Sequence, residues 1–417
     1  MKIAIYHHGI EFDGTTPFTR PLGGSESGIV YIARELTRLG HEVTVYAKVP
    51  DSSRADGKEL FPAYVHYHQF FSDYLSSPWD VVISFRSFDP FLLGRIAPRM
   101  IFWCGDSHDQ PVLKHFGHQV LQENIDLVFC VSEWHRRTFI ETFKLPTAKV
   151  IATRNGFFRD LVSSNAKREW TRSAYTSTPY RGLDVLLRIF PRIKAQVADL
   201  TLDVFSGMKV YGWSGEADRR DFGPVYAAAD QPGVTLHGGV SQPVLLKHLS
   251  TTGLLLYPNT FEETSCIAAI EAQASGCVVI TSARAGLNET VEHEKTGICI
   301  KGDPESERYQ REFIAAAVGL LQNPSRLTEF SEASRRRAFR LYDWAVIAAE
   351  WTNIFQAMVP QPVHQRWSGP LCLLQKTNEF LQNGNVSAAS RVLAVLERTP
   401  FLRSEVAAVK GKLGTWM

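Results

Sequence analysis

Two short apolar runs, Gly253-Leu254-Leu255-Leu256-Tyr257-Pro258 and Cys277-Val278-Val279-Ile280-Thr281, bracket the stretch that most limits how this chain can fold. Both read as strands buried on two faces, because neither alternates with polar residues. Between them, the stretch from Thr260 to Gly276 reads as a loop, then a helix start, then a helix. Ile267, Ile270 and Ala274 recur at helical spacing, and Gly276 stands where a left-handed terminal residue is wanted. A strand, loop, helix, strand unit of this kind belongs to an open parallel α/β sheet. It places the helix N-terminus at the carboxyl end of a strand, where such sheets bind ligands. Free backbone N–H groups near Ser265, Cys266 and Ile267 would then face a crevice and can hold a diphosphate without a metal. Glu271, inside the helix, is placed to accept hydrogen bonds from ribose hydroxyls, and Glu263, on the loop, to reach a sugar beyond the phosphates. A capped helix with a solvated Glu on each side explains the same residues, and for this segment alone both readings stand.

The same alternation runs through the chain. Residues 2 to 6 read as a buried strand, Gly23-Gly24-Ser25-Glu26-Ser27-Gly28 as a glycine-rich entry, and Ile29, Ile32, Ala33, Leu36 and Leu39 as one face of a helix that Gly40 ends. His41 to Ala47 is the next strand. Paired glycines let backbone approach a phosphate or sugar oxygen where a Cβ would collide. The pattern is not G-x-G-x-x-G, which argues against a dehydrogenase. Further strands are read at Asp80 to Ser84, Met100 to Cys104 and Leu127 to Ser132. The loop Gly105-Asp106-Ser107-His108-Asp109 leaves a strand at its carboxyl end, so Asp106 and His108 both fit acceptor contacts, or else cap the next helix. A polar stretch, residues 163 to 169, is the candidate hinge.

Composition bounds the rest. At 417 residues the chain is long enough for two or three domains, and 44% hydrophobic with 21% charged residues is ordinary for a soluble globular protein. A formal charge of +2 gives no reason to expect nucleic acid as a partner. Six cysteines without a C-x-x-C pair read as reduced core thiols. The opening apolar run is too short for a signal peptide, and no stretch approaches the ~18 apolar residues of a membrane span, so a cytoplasmic location is expected. Aromatic and basic residues from Trp134 to Lys144 fit either a peripheral contact with a membrane or anionic acceptor, or an amphipathic surface helix.

Taken together, Gly-Gly-Ser-Glu with its helix and Leu39-Gly40-His41-Glu42-Val43-Thr44-Val45, and Glu263 to Glu271 followed by Ser275-Gly276-Cys277-Val278-Val279, resemble retaining glycosyltransferases of family 4 in the GT-B class. The second stretch is similar to the family's E-x7-E element, and the resemblance runs from the start of the chain to near Pro360. It implies two Rossmann-like α/β domains facing a cleft: an acceptor domain, 1–162, and a nucleotide-sugar donor domain, 163–343, with a helix at 344–362 crossing back to the first. The implied reaction moves a sugar from a nucleotide-diphosphate donor to a hydroxyl of a saccharide, lipid or small molecule, with retention. Gly23 and Gly24 are implied to lie near the leaving diphosphate, with Arg181 in the place of the family's Lys-Gly cation. Many members carry a second cation just before it, yet no Arg or Lys stands between Ser173 and Tyr180. Lys209 is the candidate replacement, or an exposed loop lysine.

Glycosyl transfer needs charge stabilised on the departing diphosphate and on the sugar carbon. Arg181, Lys209 and the amides at Ser265, Cys266 and Ile267 suit the first task, Glu263 the second, with Asp106 and His108 toward the acceptor and Glu271 on the ribose. No D-x-D pair occurs, so no metal and no cofactor beyond the donor co-substrate is expected. Gly286-Leu287-Asn288-Glu289 fits either backbone contacts to the donor or a plain helix cap. A sugar-nucleotide epimerase or hydrolase of the same fold, and a non-catalytic scaffold, are the rival readings. Residues 363–417 fall outside the resemblance and read as a helical hairpin that docks on the body or on a protein partner, since one such unit cannot bury its own apolar face.

Overall fold

The computed structural model describes residues 1–50, 62–73, 78–114, 116–117, 119–163, 166–365, 370–386, 389–390, 393 and 403–414. The first sheet holds β1 (Lys2–His7), β2 (Glu42–Ala47), β3 (Ala63–His66), β4 (Val81–Phe85), β5 (Met100–Trp103), β6 (Leu127–Cys130) and β7 (Val150–Ala152). They lie in the order β3-β2-β1-β4-β5-β6-β7, every pair parallel. The second holds β8 (Glu169–Tyr175), β9 (Thr201–Val204), β10 (Val234–Leu236), β11 (Thr252–Tyr257), β12 (Val278–Ser282) and β13 (Gly297–Ile300), in the order β10-β9-β8-β11-β12-β13 and again all parallel. The expected pair of doubly wound domains is therefore present. In each sheet the order reverses beside the first strand, at β1/β4 and at β8/β11, and such switch points open a crevice at the strands' carboxyl ends.

The apolar runs behave as parallel strands must: β4, β11 and β12 are buried along their whole length, covered by helices on both faces. The central strand of the second sheet, β8, is the exception. Its sequence, Glu-Trp-Thr-Arg-Ser-Ala-Tyr, lacks an apolar run, so local pattern leaves it between hinge and helix, and the expected hinge overlaps its first residue. Two polar side chains tolerate the centre of the sheet because neighbouring strands satisfy them. Ser173 Oγ donates to the Thr201 carbonyl at 2.6 Å, and Arg172 Nε to Asp203 at 2.7 Å.

Helix α1 (Gly24–Arg38) covers one face of the first sheet together with α5 (Trp344–Ala357), which comes after the second domain in sequence. Trp344, Ile347, Ala348, Trp351 and Phe355 of α5 are buried in the first domain's core, with Trp351 edge-on to both Trp103 and Phe129 at 4.9 Å. Beyond it, α6 (Pro370–Gln382) and α7 (Arg403–Gly414) dock on the body. Leu374, Leu381, Ala389, Leu393, Val406 and Val409 join the core on the opposite face of the first sheet, and His364–Gln365 pairs antiparallel with Gly94–Arg95. The extension thus spends its apolar face on its own chain. Residues 388, 391 and 392 of the expected second helix lie outside the described residues. The five cysteines whose side chains are described are buried and unpaired, and among the described residues no helix is long and apolar enough to cross a membrane.

Candidate functional site

The carboxyl ends of the two sheets face one another across a cavity of about 500 Å³. Gly23, Gly24, Asp106, Arg181, Glu263, Ser265, Cys266, Ile267 and Glu271 all line it, whereas His108 and Lys209 do not. Lys209 is exposed on the turn Met208–Tyr211, and it is Tyr211 of that turn that faces the cavity. His108 Nδ1 lies 3.3 Å from the Oγ of Ser107, which does line the cavity.

Arg181 is positioned by the glycine next to it. Gly182, just before α3 (Leu183–Lys194), has φ +101°, and a Cβ there would come within 2.2 Å of the Pro258 carbonyl, so only glycine lets this turn lie against the end of β11. Arg181 Nη1 then donates to Glu263 Oε1 at 2.8 Å, and the Tyr257 hydroxyl donates to the same oxygen at 2.6 Å. The guanidinium carbon lies 4.5 Å over the Phe261 ring, Nη2 reaches the Tyr211 hydroxyl at 3.3 Å, and Nε is buried without a partner. Burial opposes the charge on Arg181, but Glu263 together with Tyr211, Tyr257 and Tyr180 outweighs it and holds the guanidinium above its ordinary pKa. Sequence pattern assigns these two residues separate tasks. Here they form one ion pair, with a single Glu263 oxygen left unengaged.

Helix α4 spans Ile267–Ser275, as the helical spacing of Ile267, Ile270 and Ala274 implies. Cys266 is its N-cap, and the first helical bond runs from Ile270 N–H to the Cys266 carbonyl. The amides of Ile267 and Ala268 are therefore without a helical acceptor, and both residues line the cavity beside Ser265 and Cys266. Gly24 faces this helix start across the cleft, and a Cβ on it would lie 2.6 Å from Ile267 Cδ1. Its bareness lets two helix N-termini approach. Farther along α4, Glu271 is 5% exposed. Burial pushes its carboxyl up to about 8, with the Gln242 side chain pulling weakly the other way. Its charge is felt by Tyr31 on α1 of the opposite domain.

On the first domain's side, Asp106 is not free. Arg86, which no sequence motif singles out, donates from Nε to its Oδ2 at 2.5 Å. Burial raises the Asp106 pKa while Arg86 lowers it, and the balance stays above the usual carboxylate value. Three further hydroxyls, on Thr176, Thr178 and Ser206, belong to residues that line the cavity and have no hydrogen-bond partner among the described residues. Only the position of Thr176 and Thr178 just before Arg181 hinted at them. The loop Gly286–Glu289 proves to be a cap, but for the other domain: the Glu289 carboxylate accepts from Glu133 N–H at 2.8 Å and Trp134 N–H at 2.5 Å, at the start of α2 (Glu133–Phe143). Ser132 Oγ donates to the Thr264 carbonyl and Thr264 Oγ1 to that of Gly105, closing the same side of the cleft. Among the described residues, Asp203, His237 and His248 have metal-ligating spacing, but Arg172 bonds both Asp203 and His248 there. A guanidinium thus occupies the place of a cation.

Residues 172–323 match the sequence family described as glycosyl transferases group 1. The chain is 25% identical over 264 residues to D-inositol 3-phosphate glycosyltransferase of Thermobispora bispora, covering 59% of each, and 28% identical over 109 residues to alpha-maltose-1-phosphate synthase of Mycolicibacterium smegmatis, covering 26% of this chain and 28% of that one. It therefore spans well under two thirds of the length of either. Among solved structures, sucrose-phosphate synthase from Thermosynechococcus elongatus superposes with a TM-score of 0.67 at 17% identity, over 85% of this chain and 98% of that one. HepE of Anabaena, in complex with UDP, does so with a TM-score of 0.64 at 14% identity, over 86% and 100%. Residues 172–323 are thus similar to the glycosyl transferases group 1 family, and the two facing parallel sheets of the chain are a GT-B fold.

Proposed function

We propose that the chain transfers a sugar from a nucleoside diphosphate to a hydroxyl acceptor, with retention of anomeric configuration and without a metal ion. The observation that carries this reading is Arg181, whose Nε is buried without a hydrogen-bond partner among the described residues, in the same cavity as the helix-start amides of Ile267 and Ala268. A departing diphosphate gathers negative charge, and a preorganised guanidinium beside a helix N-terminus stabilises that charge where it develops. Thr176, Thr178 and Ser206 add neutral donors on the stretch that carries no Arg or Lys just before Arg181 and on the neighbouring turn. Glu263 keeps Arg181 in place and offers its other oxygen to the donor sugar, while Glu271 meets the ribose. HepE binds UDP and UDP-glucose on the same fold, which supports a nucleotide sugar as donor. Buried, unpaired cysteines support a reducing, cytoplasmic setting.

A thermal-shift screen of UDP-, GDP- and ADP-sugars tests the donor, because a bound nucleotide stabilises the native state by mass action. At a hundredfold excess over Kd the gain is about 2.7 kcal/mol. No shift with any nucleotide sugar would remove the reading. Turnover should survive EDTA, and a loss restored by Mn²⁺ or Mg²⁺ would show that a metal takes part.

A further inference from the structure

We propose that Arg86 and Asp106 together form the acceptor subsite of the cleft and that it takes neighbouring hydroxyls of an uncharged sugar. The proposal rests on the glycosyltransferase reading above. Arg86 directly succeeds β4 and stands at the switch point of the first sheet, opposite Arg181 at the switch point of the second. Its backbone has φ +58°, a left-handed conformation that non-glycine residues rarely keep without a reason. The turn is pinned, since Arg86 N–H donates to the Trp103 carbonyl at 3.0 Å and Ser84 Oγ to that of Ser87 at 2.7 Å. That conformation aims the side chain at Asp106, and both line the cavity.

Only one edge of each group is used. Nε of Arg86 meets Oδ2 of Asp106, while both terminal guanidinium nitrogens and Asp106 Oδ1 have no hydrogen-bonding protein partner among the described residues. The side chains remain 33% and 17% exposed, so a ligand in the cavity can reach them. The pair therefore presents N–H donors next to a carboxylate acceptor. A phosphate or carboxylate would gain from the first and be repelled by the second at similar range. Two adjacent hydroxyls suit both, one accepting from the guanidinium and the next donating to Oδ1. A lysine would keep the charge but lose the fork.

The test uses the full chain saturated with UDP, GDP or ADP, whichever raises its Tm most. Binding of glucose, galactose and N-acetylglucosamine is compared with that of glucose 6-phosphate and glucuronate by saturation-transfer NMR. Neutral sugars should bind in preference, and Arg86→Lys and Asp106→Asn should each weaken them tenfold or more while nucleotide affinity changes less than twofold. Preference for the charged sugars, binding of none, or unchanged affinity in both variants overturns the proposal. A tenfold loss of nucleotide affinity in Arg86→Lys would make Arg86 a diphosphate ligand, overturning the subsite but not the donor reading. Failure of the wild type to bind any nucleotide would instead sink the donor reading itself.

Discussion

Replacing Glu271 by Gln keeps the shape of a buried side chain and removes its titration, so the two proteins should differ in stability by an amount that depends on pH. Burial raises the Glu271 carboxyl from 4.5 to about 8 in the fold. Below 4.5 the group is neutral whether the chain is folded or not, and the raised value costs nothing. Between 4.5 and 8 the unfolded chain ionises while the native state holds its proton, so stability falls as pH rises. Above about 8 both states are ionised and the slope vanishes. One pH unit corresponds to about 1.4 kcal/mol, so the full interval is on the order of 5 kcal/mol. Burial of His135, whose imidazole is held down to about 3, gives a slope of the opposite sign below its ordinary 6.5. That contribution is common to both proteins and cancels in their difference. Thermal or urea unfolding of the nucleotide-free chains at intervals from pH 4.5 to 9 measures that difference. The parent should lose roughly 1.4 kcal/mol per unit against the variant and level off near 8. Parallel profiles across the range would refute the argument, because they would mean that the carboxyl is hydrated or paired in the folded chain.

The same geometry makes further perturbations decisive. Arg181→Ala should weaken nucleoside diphosphate binding roughly 10- to 100-fold, the worth of one or two charge-assisted hydrogen bonds, while Lys209→Ala should leave calorimetric affinity within about twofold. Equal losses would mean that the exposed lysine reaches the diphosphate after all. Gly182→Ala forces a Cβ onto the Pro258 carbonyl at positive φ and should lower stability by more than about 2 kcal/mol, read as a fall in Tm. Glu289→Ala removes the carboxylate that one domain lends to the helix N-terminus of the other, and small-angle scattering should record a larger radius of gyration. An unchanged radius would assign cleft closure to the contacts of Ser132 and Thr264.

Local pattern was enough for the β11, α4, β12 unit, because a doubly buried strand must be an apolar run and a helix must repeat its apolar positions every three or four residues. It was not enough for β8, whose polar residues are acceptable only once β9 supplies Thr201 and Asp203 as partners. Nor does local pattern show that Arg337 is tied to Glu292 and to the Glu289 carbonyl, and so props up the residue that caps α2.

What the sequence by itself determined is the fold class, the helix start that faces the cleft, and the presence there of Arg181, Glu263 and Glu271. Local spacing carries the helix start and its two glutamates, and the family resemblance carries the two-domain fold and the place of Arg181. Which of those groups are already spoken for was decided only in three dimensions. The pairing of Arg181 with Glu263, of Arg86 with Asp106 and of Glu289 with α2 joins residues 82, 20 and some 156 positions apart. A hydrogen bond depends on distance and direction between atoms, and neither is encoded in the spacing of residues that meet only after two sheets have closed on one another.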